Sequence, residues 1–192
     1  MSKKKITLII IPVAVLILLV ALFIYNSTFT IENNDKVIKH KIEVFINKGT
    51  TPETKITLKN EIRIANIKIV SFATSSSEGN SFGYCTLAES PFKEKFKIKS
   101  VRYGTGLIDL PIISTKSGKY LIVIGKEYNK KAKYVKVKLY DNNYTFDIKS
   151  PYFILYKKIP NDTSTSEVAE FTFYDKNHKE IPYSGIMEKL IE

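Results

Sequence analysis

Cysteine is almost missing from this chain of 192 residues: Cys85 is the only one. A single thiol closes no internal disulfide, so the fold must rest on a hydrophobic core. Histidine is nearly as scarce, and His40 and His178 stand apart, with no second histidine at helical or strand spacing. That pattern argues against a histidine-based metal pair, and no metal or cofactor is expected. Tryptophan is absent. The glycines form no phosphate cradle, because Gly104-Thr105-Gly106 lacks a third glycine and any following helix signal. Asp175 and Asn177 open like a calcium loop, but Glu180 and Ile186 stand where that loop needs glycine and glutamate. Long apolar runs are missing too, apart from one at the start.

That run is Ile6 to Tyr25, 20 residues without a charge. At the helical rise it spans about 30 Å, the thickness of a hydrocarbon core. Pro12 is expected near the first turn, where a lost backbone donor matters least. Lys3, Lys4 and Lys5 precede the run, and the first lysine after it is Lys36. The positive-inside rule then places the N-terminus in the cytoplasm and the remainder outside the cell, on a single-pass anchor in the cell membrane. A cleaved signal peptide is the competing reading, with Thr28 and Thr30 as a poor cleavage pair. The run is long for that, and it ends in bulky Leu22, Phe23, Ile24 and Tyr25.

The expected organisation is a cytoplasmic flank over 1–5, the anchor over 6–25, a polar stalk with a helix over 26–52, and one extracellular β-domain over 53–192. Ile38, Ile42 and Phe45 sit at helical spacing, while Ile38, Ile42, Val44 and Ile46 also fit strand alternation; the favoured reading is a short helix over 35–48, capped by Asn34 or Asp35 and stopped at Gly49. Beyond it the chain reads as strand after strand. Ile56, Leu58, Ile62 and Ile64 alternate with polar residues, and Ile67 and Ile69 continue in the opposite phase, which predicts a turn or bulge near Ala65 and Asn66. Further strands are expected at 84–88, 92–103, 107–113, 120–124, 134–140, 144–148, 152–156, 171–174 and 180–183. Ser75–Ser81 reads as a loop, and the tail from Ser184 as one or two helical turns. The fold class is mainly β: one antiparallel sandwich or a partly closed barrel.

The formal net charge is +11, and three of those charges belong to Lys3, Lys4 and Lys5. The basic balance that remains suits an anionic envelope polymer or an acidic face of another envelope protein. Two lysine ladders are the candidate contact surfaces. Lys95, Lys97 and Lys99 alternate along one strand; Tyr134, Lys136, Lys138 and Tyr140 alternate along another. Interleaved tyrosine and lysine can stack on and neutralise a polymer. The plainer reading is a solvated outer face with lysines guarding an edge strand. An extracellular location disfavours nucleic acid.

An enzymatic alternative is a sortase-like transpeptidase, with Cys85 as nucleophile, His40 as acid–base and Arg102 holding the oxyanion. The Cys85 context, Phe82-Gly83-Tyr84-Cys85-Thr86-Leu87, departs from that family's Thr-Leu-x-Thr-Cys strand. A pilin-like assembly subunit shares the outline of an apolar helix followed by sheet. Lys5-Ile6-Thr7-Leu8-Ile9-Ile10 nevertheless lacks the glycine and glutamate of a pilin start.

The stretch Ser117-Gly118-Lys119-Tyr120-Leu121-Ile122-Val123-Ile124-Gly125-Lys126 is followed by Tyr134-Val135-Lys136-Val137, Tyr152-Phe153-Ile154-Leu155-Tyr156 and Phe171-Thr172-Phe173-Tyr174-Asp175-Lys176-Asn177. Over residues 67–182 this resembles a group of small membrane-anchored β-rich proteins of low-GC Gram-positive bacteria. The resemblance implies an anchored β-fold and carries no catalytic residue. The expected role is non-catalytic binding or scaffolding at the envelope.

Overall fold

The computed structural model describes residues 3–49, 53–76, 79–92, 95–104, 106–127, 131–166 and 169–182, without the side chains of 3–11, 76, 79 and 80. In chain order the elements are α1 (Lys3–Thr28), β1 (Ile31–Glu32), α2 (Asp35–Ile46), β2 (Lys55–Ile64), β3 (Ile67–Ser76), β4 (Gly79–Glu89), β5 (Lys95–Gly104), β6 (Ile108–Asp109), β7 (Ile112–Thr115), β8 (Gly118–Lys126), β9 (Tyr134–Leu139), β10 (Asn142–Asp147), β11 (Tyr152–Ile159), β12 (Glu170–Tyr174) and β13 (Glu180–Ile181). The expected tail helix beyond Ser184 lies outside the described residues.

The run over 6–25 falls inside α1, a helix of 26 residues. Among the described residues no helix is long and apolar enough to cross a membrane. Pro12 sits in the interior of α1 and not in its first turn, so it removes a ladder hydrogen bond. From Pro12 to Ile24 the side chains of α1 are exposed: Leu16 is 61% exposed, Ile17 65% and Phe23 74%.

The expected polar stalk over 26–35 is instead structured. α1 continues to Thr28, and β1 pairs antiparallel with β5, Ile31 opposite Phe96 and Glu32 opposite Lys95. α2 then starts where Asn34 caps it, its side-chain oxygen accepting from the Lys36 and Val37 amides. Its buried stripe is Ile38, Ile42 and Ile46, spaced by four. Phe45, expected in that stripe, is 51% exposed.

The first sheet runs β1-β5-β4-β3-β2 and curls into a half-barrel. Its concave face holds α2 over Ile56, Val70, Phe72, Cys85, Leu87 and Phe96. The turn expected near Ala65 and Asn66 joins β2 to β3, with Ala65 at φ 51. A bulge also interrupts β2 between Leu58 and Glu61. There the buried Ser71 hydroxyl accepts from the Asn60 amide at 3.1 Å and donates to the Asn60 carbonyl at 3.2 Å. The loop expected at 75–81 is part of a long hairpin, because β3 and β4 run on to Ser76 and from Gly79.

The fold is mainly β, as expected, but the one sandwich or partly closed barrel expected over 53–192 is found only in part: the half-barrel is followed by two further sheets, which makes three β layers. The middle sheet is β11-β8-β6, with β7 also on β8. β6 and β7 lie end to end along one side of β8, split at Leu110–Pro111; the Pro111 carbonyl still accepts from the Ile122 amide at 3.0 Å. The third sheet is β10-β9-β12-β13. β8 is the reason for three layers. Its Ile122 and Ile124 pack with Ile69 and Tyr84 of the half-barrel. Its Leu121 and Val123 pack with Val135, Val137 and Phe173 of the third sheet. A strand covered on both faces needs an unbroken apolar run, and Leu121-Ile122-Val123-Ile124 supplies it.

Candidate functional site

The three residues of the transpeptidase reading do not meet. Cys85 is fully buried on the concave face, packed among Ile38, Ile42 and Phe72. Burial alone pushes its thiol up to about 12, far from a thiolate nucleophile. His40 is exposed on α2, off the buried Ile38–Ile42–Ile46 stripe. Arg102 pairs in register with Tyr84 and Cys85 with Val101, so Cys85 and Arg102 occupy opposite faces of the half-barrel.

The lysine ladders also change. Lys95 and Lys97 share the face of β5 turned away from α2, but a register shift leaves Lys99 as the unpaired residue of a bulge. In the second ladder Tyr134, Lys136 and Lys138 share the outer face of β9. Tyr140 belongs instead to the turn between β9 and β10, at φ 52. The expected turn was one residue later, at Asp141–Asn143. The outer face of β9 is moreover not basic. Glu170 lies opposite Lys138, and Asp147 opposite Tyr134. Lys136 stands over the Tyr174 ring at 4.5 Å, and His178 stacks on Tyr134 at 4.6 Å. These contacts describe a self-satisfied outer surface.

Arg102 stands somewhere more informative. β5 holds it on the face toward the middle sheet, and β6 brings Asp109 beside it. The Tyr84 hydroxyl donates to Asp109 Oδ2 at 2.9 Å, and the Leu110 amide donates to Oδ1 at 2.9 Å. Both carboxylate oxygens therefore have a neutral donor. Arg102 Nη1 lies 3.6 Å from Oδ2, an ion pair longer than a hydrogen bond. Asp109 thus attracts the guanidinium by charge without filling its planar donor fork. Burial, then the Asp109 charge and hydrogen bond, raise the Tyr84 pKa, and Arg102 offsets only part of this. The phenol stays protonated and remains a donor.

Two cavities open on this group. One, about 410 Å³, is walled by Phe82, Tyr103 and Gly106; the other, about 440 Å³, by Pro111, Thr165, Ser166 and Phe171. Arg102, Ile108 and Asp109 line both. The arrangement is a cleft with aromatic walls, lined by one cation, Arg102, and one carboxylate, Asp109. Chemically it can bind an anion. A larger groove of about 670 Å³ lies between β2, β10 and β11. Its charges are mixed, and Lys157 is drawn over the Phe146 ring at 5.4 Å.

Tyr84 and Asp109 were missed by reading the sequence. They lie 25 positions apart and belong to different sheets, so no local spacing signals them. Among the described residues no group of three His, Cys, Asp or Glu side chains is placed to hold a metal ion. Asp175, the start of the calcium-like stretch, spends Oδ1 on the Asn177 and Lys179 amides at 2.8 and 2.9 Å, closing its turn. No family model matches the chain, and neither a curated protein nor a solved structure matches it.

Proposed function

We propose that this is a membrane-anchored β-domain on the outer side of the cell membrane, with a non-catalytic binding role at the envelope, and that its binding site is the Arg102 cleft. The observation that carries the binding role is the guanidinium at the shared wall of two cavities, held by Asp109 yet not hydrogen-bonded to it. The ligand class is an anionic group of an envelope polymer, a phosphodiester or carboxylate that a planar fork grips with two parallel bonds. The anchor reading is supported by the uncharged run over 6–25 behind three lysines. It also draws on the exposed apolar side chains of α1, which find no partner layer in the β-domain.

The test is calorimetric titration of the full chain in nanodiscs with poly(glycerol phosphate) and, separately, with oligoglutamate. Arg102→Met should weaken the favoured ligand by about 10- to 100-fold, the range of a charge-assisted hydrogen bond. Cys85→Ala should leave binding unchanged. Equal affinity of the wild-type and Arg102→Met proteins for both polymers would remove the cleft from the function.

A further inference from the structure

α1 does not leave the β-domain through a free linker. Its last turns are joined to the loop between β4 and β5. The Tyr25 hydroxyl donates to Ser90 Oγ at 3.3 Å, and the Tyr25 ring meets Phe92 edge-on at 5.1 Å and Phe29 at 5.6 Å. The loop is pinched shut at its base, where the Ser90 amide donates to the Lys95 carbonyl at 2.8 Å and the Lys95 amide to Ser90 Oγ at 3.5 Å. Phe92 projects from that base. It is 65% exposed, more than any other large apolar side chain described outside α1. Beside it, Lys97 stands over the Phe29 ring at 5.3 Å, and both Lys97 and Lys99 are exposed. Glu32, opposite Lys95 in register, offsets one charge of the three.

These residues stand where the apolar run of α1 ends, at Tyr25. Phe92, set against Tyr25, extends the exposed apolar surface of α1 onto the β-domain. An aromatic ring at the end of an apolar helix, flanked by lysines, suits the boundary between acyl chains and head groups. We propose that this rim is a second membrane contact: Phe92 enters the interface of the bilayer that holds α1, and Lys97 and Lys99 engage its anionic lipid head groups. The occupant is the lipid surface because the rim is continuous with the exposed apolar side chains of α1 and is fixed to them by Tyr25. The contact would hold the domain against the membrane in one orientation. Gly104 and the Arg102 cleft would then lie at the other end of β5, about 20 Å away at the strand rise.

This inference rests on the anchor reading, and one experiment separates the two. The chain has no tryptophan, so a single substitution is a clean fluorescent reporter. Phe92→Trp, Leu19→Trp and Tyr103→Trp are placed one at a time in the full chain, in nanodiscs of phosphatidylcholine with or without phosphatidylglycerol and with brominated acyl chains. The Leu19→Trp reporter should be quenched in every lipid. The Phe92→Trp reporter should be blue-shifted and quenched, more strongly with phosphatidylglycerol, and that increment should vanish with Lys97→Glu and Lys99→Glu or at high salt. The Tyr103→Trp reporter should stay water-like. A quenched reporter at position 19 with a water-like one at 92 overturns the rim contact and leaves the anchor standing. An unquenched reporter at position 19 overturns both. Equal quenching at 92 and 103 overturns the orientation, since the domain would then meet lipid without regard to this rim.

Discussion

The half-barrel and the sandwich formed by the middle and third sheets use the same strand chemistry but close their cores differently. The sandwich core is almost wholly apolar, from Leu121, Val123 and Phe153 on one side to Val135, Val137 and Phe173 on the other. Its buried Glu127 serves a loop, accepting from the Ala132 amide at 3.1 Å. The half-barrel instead buries Lys68, Ser71, Thr74, Thr86, Glu89 and Ser90. Lys68 pairs with Glu61 at 2.6 Å and donates to Asn33 at 2.9 Å, while Arg63 and Glu89 form a second ion pair whose Nε–Oε2 distance is 3.2 Å. Both pairs lie beside Phe96, which the Lys68 ammonium and Arg63 guanidinium each approach at 5.9 Å. A sandwich closed by two interlocking sheets needs no polar ties. A half-barrel is open along one side, and here that side is sealed by the chain arriving from α1. Of these paired charges Lys68 alone reaches past the three strands β2 to β4 through a hydrogen bond, to Asn33 between β1 and α2.

That contrast can be broken most directly in the sandwich. Phe153 is 2% exposed, with its ring against Gly125. Phe153→Ala should cost about 3–5 kcal/mol in urea unfolding, because the closely packed layers cannot collapse onto the void. A loss below 1 kcal/mol would mean that the core is loosely packed. Next comes the buried thiol of the half-barrel. The folded protein holds the Cys85 proton up to about 12, whereas the unfolded reference is 9.0. This contribution to stability is complete below the lower value and is lost as the pH rises through that window, by about 1.4 kcal/mol per pH unit. The difference in unfolding free energy between wild type and Cys85→Ala should therefore shrink toward alkaline pH. A pH-independent difference would show a thiol that ionises normally. Third, Glu61→Ala should cost about 2 kcal/mol by leaving the buried Lys68 without its carboxylate, with only Asn33 and the Phe96 ring beside it. The double variant Glu61→Leu with Lys68→Met should recover that loss, since removing both charges removes the penalty. If the double variant is less stable than the single one, the ion pair stabilises in its own right.

The sequence made individual strands legible wherever one face meets water, because alternation survives there: Ile62 and Ile64 against Ile67 and Ile69 marked the turn at Ala65 correctly. It also made α2 legible, although Ile38 and Ile42 fit helix and strand alike, because the cap at Asn34 and the stop at Gly49 are local signals. The layering was not legible. The run Leu121–Ile124 calls for two covered faces but does not name the sheets that cover them, which only the packing of Ile122 and Ile124 on the half-barrel and of Leu121 and Val123 on the third sheet decides. The bulge at Lys99 was hidden for a similar reason, since Lys95, Lys97 and Lys99 alternate in sequence while the register skips a residue. The site was the least legible part. Of its three residues only Arg102 was singled out, and for a role that Cys85 on the opposite face does not support. Tyr84 and Asp109 become partners only when the half-barrel and the middle sheet stack.

The smallest expected effect tests whether the two regions are one cooperative unit. The Asn34 side chain accepts from the Lys36 amide at 2.9 Å and the Val37 amide at 3.4 Å. Asn34→Ala should cost about 1 kcal/mol, and Asn34→Asp should restore most of it, because a carboxylate accepts the same bonds and favours the helix N-terminus. α2 seals only the half-barrel, so amide exchange should quicken in α2 and in β1 while the β8 amides of Ile122 and Ile124 keep their protection. If β8 loses protection by the same factor, α2 opens only when every layer opens. The apolar contacts between Ile69, Tyr84 and Ile122 would then couple the layers more tightly than the ion pairs secure the half-barrel.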